Sequence, residues 1–112
     1  MASPQPARRK VAGGATICDA LQATMPGEAP FAACLAAGVQ GVAVTDAETA
    51  RAMRVAFEEL KLVLEPSGAV ALAAVLSGRV PVAGKTVLVM ASGGNIPFDR
   101  FAGIVGEARG LR

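Results

Sequence analysis

Two short segments carry residue types suited to holding a ligand or moving a proton. The first is Ser92-Gly93-Gly94-Asn95, which follows the apolar run Thr86-Val87-Leu88-Val89-Met90 and precedes a helix-like stretch. In open α/β sheets ligands gather at the carboxyl ends of strands. Glycines there let a ligand approach the backbone, and a following helix N-terminus offers free amides. A plain strand-to-helix turn has the same composition, and the residues alone leave both readings open. The second segment is centred on Glu65, between Leu62-Val63-Leu64 and Pro66-Ser67-Gly68-Ala69. A carboxylate in apolar surroundings is either paired or made a stronger base, which is how acid/base residues often arise. A helix-end carboxylate pointing at water is the alternative.

Other chemistries fail on supply or spacing. Gly84-Lys85-Thr86 invites a phosphate-loop reading, but that motif needs a glycine five positions before Gly84, where Arg79 stands. Thr86 also opens a strand-like run where a phosphate loop opens a helix. The chain has no His, and its two cysteines, Cys18 and Cys34, form no CxxC pair. A zinc site and a His-based triad are excluded on ligand supply. Two buried, reduced thiols in a cytoplasmic protein are expected rather than a disulfide.

The elements that must position these residues are legible in part. Thr45-Asp46-Ala47-Glu48 fits a capping box, so a helix is expected from Asp46 to about Val63. Ala50, Met53, Phe57, Leu60 and Leu64 would form its apolar stripe, with Arg54 and Glu58 paired one turn apart. Glu65-Pro66 breaks that helix, and a buried helix is expected over Ser67–Leu76, closed by Gly78. Gly41–Val44 and Thr86–Met90 read as buried strands. Pro97 suits the first position of a last helix reaching about Ala108. A short turn at Asp19–Leu21 and a helix over Phe31–Ala37 complete the order. The pattern predicts an α/β fold with a parallel sheet. Two or three strands do not make a stable sheet, so an incomplete domain is expected. Residues 1–14 read as an irregular leader, 15–108 as the folded segment and 109–112 as a tail.

Composition bounds the function further. The 112 residues are 53% hydrophobic and 18% charged, with a net charge of +2. That excludes disorder. The longest apolar run is Ala69–Leu76, far short of the roughly 20 residues that span a membrane. The lone basic cluster, Arg8-Arg9-Lys10, has no aromatic residues near it, which argues against a nucleic-acid surface. With 24 Ala and 13 Gly the apolar side chains are small, so close helix packing is implied.

Several motifs, in order, resemble the closing part of the threonine/serine dehydratases, pyridoxal-phosphate enzymes of the second fold type. They are Thr16-Ile17-Cys18-Asp19-Ala20-Leu21, Met25-Pro26-Gly27, Val44-Thr45-Asp46-Ala47-Glu48, the run Phe57–Ala69 with its Glu-Pro-x-Gly-Ala turn, and Ser92-Gly93-Gly94-Asn95. The resemblance covers about Gly13 to Ala108. It implies that Ser92 bonds the pyridine nitrogen of the cofactor, that Gly93 and Gly94 line its ring, and that Glu65 stands beside it. Ile96-Pro97 departs from the Val-Asp of many relatives, which bears on how the chain enters the last helix.

The same resemblance defines what is lacking. The family's cofactor-bound lysine lies in a Ser-x-Lys segment, and Lys10, Lys61 and Lys85 match no such motif. The tetraglycine phosphate loop, the Ser-Ser-Gly-Asn-His substrate segment and the cation site are lacking too. No residue of this chain is therefore assigned as catalytic, and none as a metal ligand. The expectation is a C-terminal fragment of a dehydratase that takes a small hydroxy amino acid to a 2-oxo acid and ammonia. It would be inactive alone, and completed by an N-terminal chain or assembled as a homo-oligomer. The rival expectation is a non-enzymatic remnant acting as a small self-associating or binding protein.

Overall fold

A computed structural model of the chain describes residues 7–108. Its regular elements are a 3-10 turn Asp19–Leu21 and four helices: α1 (Glu28–Ala37), α2 (Asp46–Leu60), α3 (Pro66–Leu76) and α4 (Phe98–Glu107). Residues 1–6 of the expected leader and the whole expected tail, 109–112, lie outside the described residues.

Helix α2 begins where its cap predicts. The Thr45 hydroxyl accepts from the Glu48 amide at 3.1 Å, and the Glu48 carboxylate accepts from the Thr45 amide at 3.3 Å. It ends three residues earlier than expected. Lys61 takes a left-handed conformation, φ 57°, and the Leu62 amide bonds back to the Ala56 carbonyl at 3.0 Å. This is the C-terminal reversal usually given to glycine. Pro66 disfavours a helical conformation at the residue before it, and Glu65 is extended at φ −71°, ψ 160°. Leu62-Val63-Leu64 therefore leave the helix and run toward the candidate site.

The core sits where α2 crosses α3. Ala52, Met53 and Ala56 of α2 and Ala69 and Ala73 of α3 are fully buried. Alanines let the two helix backbones approach closely, so the buried face of α2 is Thr49, Ala52, Met53 and Ala56. The expected stripe is rotated: Met53 belongs to it, but Phe57 and Leu60 are exposed. Phe57 instead meets Phe101 of α4 edge to face, ring centres 5.5 Å apart. The expected Arg54–Glu58 ion pair is present at 2.5 Å. Arg54 also donates to the Val105 carbonyl at 2.8 Å, tying the end of α4 to α2. Arg51 donates to the Leu76 carbonyl at the end of α3.

The expected α/β fold is not what forms. Among the described residues there are helices and no strand. Gly41–Val44 and Thr86–Met90 carry no regular structure and exchange no backbone hydrogen bonds with each other or with any third segment among the described residues. A strand exists only as part of a ladder, with a neighbour about 4.8 Å away. These segments lie on α3 instead, with Val44 and Val89 half-buried, while Leu88 is 92% and Met90 72% exposed. The expected parallel sheet is therefore not present among the described residues. Cys18 is buried as expected, with its thiol toward the Thr49 hydroxyl, but Cys34 is exposed; both are free.

The outline is open. The accessible surface is 8063 Å², against about 5,700 Å² for a compact monomer of this mass. The radius of gyration is 15.6 Å, where about 13 Å is ordinary for this length. No helix among the described residues is long and apolar enough to cross a membrane.

One ion pair gives the fold an acid-sensitive clasp. Arg79, just past α3, donates to the Glu48 carboxylate at 2.6 Å. That hydrogen bond holds the Glu48 carboxyl below its ordinary value of 4.5. A lowered value in the folded state stabilises the fold above the ordinary value, and the contribution is lost as pH falls through the lowered one. Thermal melts followed by circular dichroism are expected to show the native chain losing stability as pH drops below 4.5, through the lowered value of Glu48. Glu48→Gln is expected to lose less over the same range. Superimposable acid limbs in the two proteins would contradict this.

Candidate functional site

Glu65, Gly93 and Gly94, expected together from sequence, do meet. The Glu65 amide donates to the Gly93 carbonyl at 3.0 Å. The Glu65 side-chain oxygen Oε1 lies against the Gly93 α-carbon, where a β-carbon would collide with it. Gly94 stands as closely against the Val63 carbonyl. Gly68, in the first turn of α3, completes the seam: a β-carbon there would lie 2.5 Å from the Gly93 oxygen and 2.9 Å from its nitrogen. Three glycines therefore share one seam because two backbone segments pass with no room for side chains between them.

Ser92 opens this turn and is exposed, and its hydroxyl makes no hydrogen bond among the described residues. The Glu65 carboxylate is half-buried and likewise has no hydrogen-bond donor there. After the turn, the Ile96 amide closes onto the Gly94 carbonyl at 3.0 Å. Pro97 is the N-cap of α4, not its first helical residue, and Phe98 takes that place.

A brace behind the seam was not legible as one. The buried Ser67 hydroxyl accepts from the Ala20 amide at 3.1 Å, fixing the 3-10 turn to the start of α3. Arg100 of α4 donates to the Asp19 carboxylate at 3.1 Å and to the Ile17 carbonyl at 3.0 Å. Asp46, the first residue of α2, accepts from the Thr16 hydroxyl at 2.5 Å and the Ile17 amide at 3.2 Å. Residues 16–20 thus fasten the beginnings of three helices to one another.

The ring end of a pyridoxal-type cofactor fits these residues. They present an exposed hydroxyl donor, a backbone free of side chains and a half-buried carboxylate without a donor among the described residues. The lysines do not gather there: the Lys61 ammonium donates to the Glu58 carbonyl at 2.7 Å, at the end of its own helix. Lys85 is exposed beside the turn at Gly84, φ 71°, so the phosphate-loop trace is a simple turn. Among the described residues no group of side chains is able to hold a metal ion.

Residues 2–93 match the family described as pyridoxal-phosphate dependent enzyme. The chain belongs to that family, whose cofactor is pyridoxal phosphate. It is 35% identical over 98 residues to an L-threonine ammonia-lyase of Thermotoga maritima, covering 88% of this chain and 24% of that protein. A catabolic L-threonine dehydratase of Staphylococcus aureus is 30% identical over 93 residues, covering 80% of this chain and 27% of the relative. A beta-hydroxyaspartate dehydratase of Paracoccus denitrificans is 43% identical over 56 residues, half of this chain. The chain spans about a quarter of the length of the first two.

The seam makes a sharp claim about one substitution. Gly68→Ala would push a methyl group into the Gly93 peptide and is expected to destabilise the fold by about 1–3 kcal/mol, the usual range for overpacking. Gly103→Ala, in α4, meets nothing within 4 Å. It is expected to be neutral or to stabilise by up to about 1 kcal/mol through helix propensity. Urea unfolding of both variants measures the contrast, and equal midpoints would refute the seam.

Proposed function

We propose that this chain forms the ring-binding portion of a pyridoxal-phosphate-dependent dehydratase acting on a small hydroxy amino acid such as threonine or serine. The reaction is loss of water across the α and β carbons to give an enamine, whose imine form is then hydrolysed by water to a 2-oxo acid and ammonia. The observation that carries this reading is the convergence of Glu65, Gly93 and Gly94 at one backbone seam, with the Ser92 hydroxyl open beside it.

When bound, pyridoxal phosphate supplies an electron sink for the α-carbon. Ser92 would hold and orient the ring by donating a hydrogen bond from its hydroxyl to the pyridine nitrogen. It cannot hold a protonated nitrogen by charge, as a carboxylate would. Gly93 and Gly94 keep the backbone free of side chains at the ring's edge. The Glu65 carboxylate stands beside the ring.

The cofactor-bound lysine and the phosphate loop come, in this reading, from a complementary N-terminal portion. Lys10 lies in the basic cluster, Lys61 is held by its own helix end and Lys85 is at a turn, so none is placed for that role. Two free cysteines support a reducing, cytoplasmic setting.

Two measurements test the reading. Borohydride fixation of pyridoxal phosphate on this chain alone is expected to label no single lysine stoichiometrically, and threonine is expected to yield no oxo acid. One uniquely labelled lysine with turnover would overturn the assignment of the lysine to another portion. In the complete cofactor-loaded protein, Ser92→Ala is expected to weaken cofactor binding, read by fluorescence titration, by about 1 kcal/mol, the net worth of one hydrogen bond. An unchanged affinity would remove Ser92 from the ring.

A further inference from the structure

Two polar residues are buried among the described residues, Thr49 and Ser67. Thr49 donates its hydroxyl proton within its own helix, to the Thr45 carbonyl at 3.0 Å. Ser67 reaches outward, accepting from the Ala20 amide of a distant segment at 3.1 Å. We propose that Ser67 is a positioning residue of the ring site: through Ala20 and Gly93 it sets where the Ser92 hydroxyl stands. The proposal rests on the ring-binding reading of Ser92 and adds a residue that acts through another.

The first argument is position. Ser67 stands between the two residues that grip Gly93. Before it, the Glu65 amide donates to the Gly93 carbonyl at 3.0 Å. After it, Gly68 has no room for a β-carbon against the Gly93 peptide. The Gly68 amide donates to the Glu65 carbonyl at 3.1 Å, so both grips belong to one closed turn. A rotation of that turn carries Gly93 with it. Within Glu65–Gly68 the Ser67 hydroxyl makes the one side-chain hydrogen bond found among the described residues, and it runs to Ala20.

The second argument is that the contacts close into a ring. Next to Ala20, the Asp19 carboxylate accepts from Arg100 at 3.1 Å, and the Ile17 carbonyl accepts from the same guanidinium at 3.0 Å. Arg100 lies in the first turn of α4, into which the Ser92–Asn95 turn leads. Residues 17–20 therefore hold that turn from both ends, through α3 and through α4. The two arms differ in strength. Arg100 and Asp19 are both exposed, and such pairs contribute little. Ser67 is 7% exposed, so its bond is less open to competing water. The Ser92 hydroxyl has no hydrogen bond of its own among the described residues, and its place is set by the turn. A binding group has to be held within about 0.5 Å of its productive position. A slackened turn therefore loses affinity with every contact residue still present.

Hydrogen exchange in the full chain tests the coupling without cofactor. Ser67→Ala is expected to speed exchange of the Glu65 amide about fivefold more than that of the core Met53 amide, the effect of one hydrogen bond lost locally. Arg51→Ala, which frees the Leu76 carbonyl at the far end of α3, is expected to change the two amides alike. Affinity tests the role. In the complete cofactor-loaded protein, Ser67→Ala is expected to weaken pyridoxal phosphate binding about fivefold by fluorescence titration. In the Ser92→Ala background the same change is expected to weaken it by about twofold or less, because the two residues act as one unit. Arg100→Gln, at an exposed position, cuts the other arm without touching the core and is expected to act in the same direction. Equal losses in the two backgrounds would overturn the proposal, since a merely structural role lowers affinity in both. A Glu65 amide that changes only in step with Met53 would overturn it too. An affinity unchanged by Ser92→Ala alone is a different failure, that of the ring reading, and takes the proposed role with it while the exchange contrast stands.

Discussion

The contact of Gly68 with the Gly93 peptide sets the positions of everything near the candidate site. It joins the first turn of α3 to the Ser92–Asn95 turn with no side chain between them, so neither segment moves without the other. The contact is reached because the chain leaves α2 early. Lys61 reverses direction, Leu64 is buried, and Pro66 keeps Glu65 extended so that its amide meets the Gly93 carbonyl. Further back, the alanines of α2 and α3 let those helices lie close enough for α3 to begin at the seam. The Ser67 bond to the Ala20 amide braces the same turn from the other side. Residues spread over most of the chain thus converge on one small region.

Local signals in the sequence translated well. The capping box at Thr45 and the ion pair between Arg54 and Glu58 depend on residues a few positions apart, and both formed, whereas α2 ended at Leu60, ahead of the break expected at Glu65-Pro66. The stripe on α2 was misread because large apolar residues were weighted over small ones. Packing against α3 favoured Ala52 and Ala56, which allow close approach, over Phe57 and Leu60, which hold the helices apart. The strands failed for a different reason. Val87 and Val89 have the composition of a strand, but a ladder is a property of two segments, and composition reports only one. At the site, Glu65, Gly93 and Gly94 were legible as a group through the family resemblance. The part of Gly68 was not, because a glycine in sequence does not name the backbone that presses on it.

Family membership and open outline bear on each other. The chain matches a pyridoxal-phosphate enzyme family over residues 2–93, yet spans about a quarter of its relatives. Two parts of its apolar surface differ in character. Leu88 and Met90 project from a segment that lacks a ladder, whereas Phe57 and Phe98 flank a groove already shaped by two packed helices. Only the second is a surface formed in advance of any partner, and so the one able to bind without first ordering itself.

Helix α1 stands apart from this organisation. None of its residues is buried, and it packs on no other helix among those described. A ten-residue helix without tertiary support is marginal in water. Its ends are held by the left-handed Gly38 at one side and by the Arg8 bond to Glu28 at the other, both at the surface. Amide hydrogens in α1 should therefore exchange with solvent through local fraying, long before those of α2 and α3, which open only with the core. The molecule then has two stabilities. Far-ultraviolet ellipticity would drift as α1 frays on warming, ahead of the cooperative loss of the α2–α3 core, and a single melting temperature would describe only the latter.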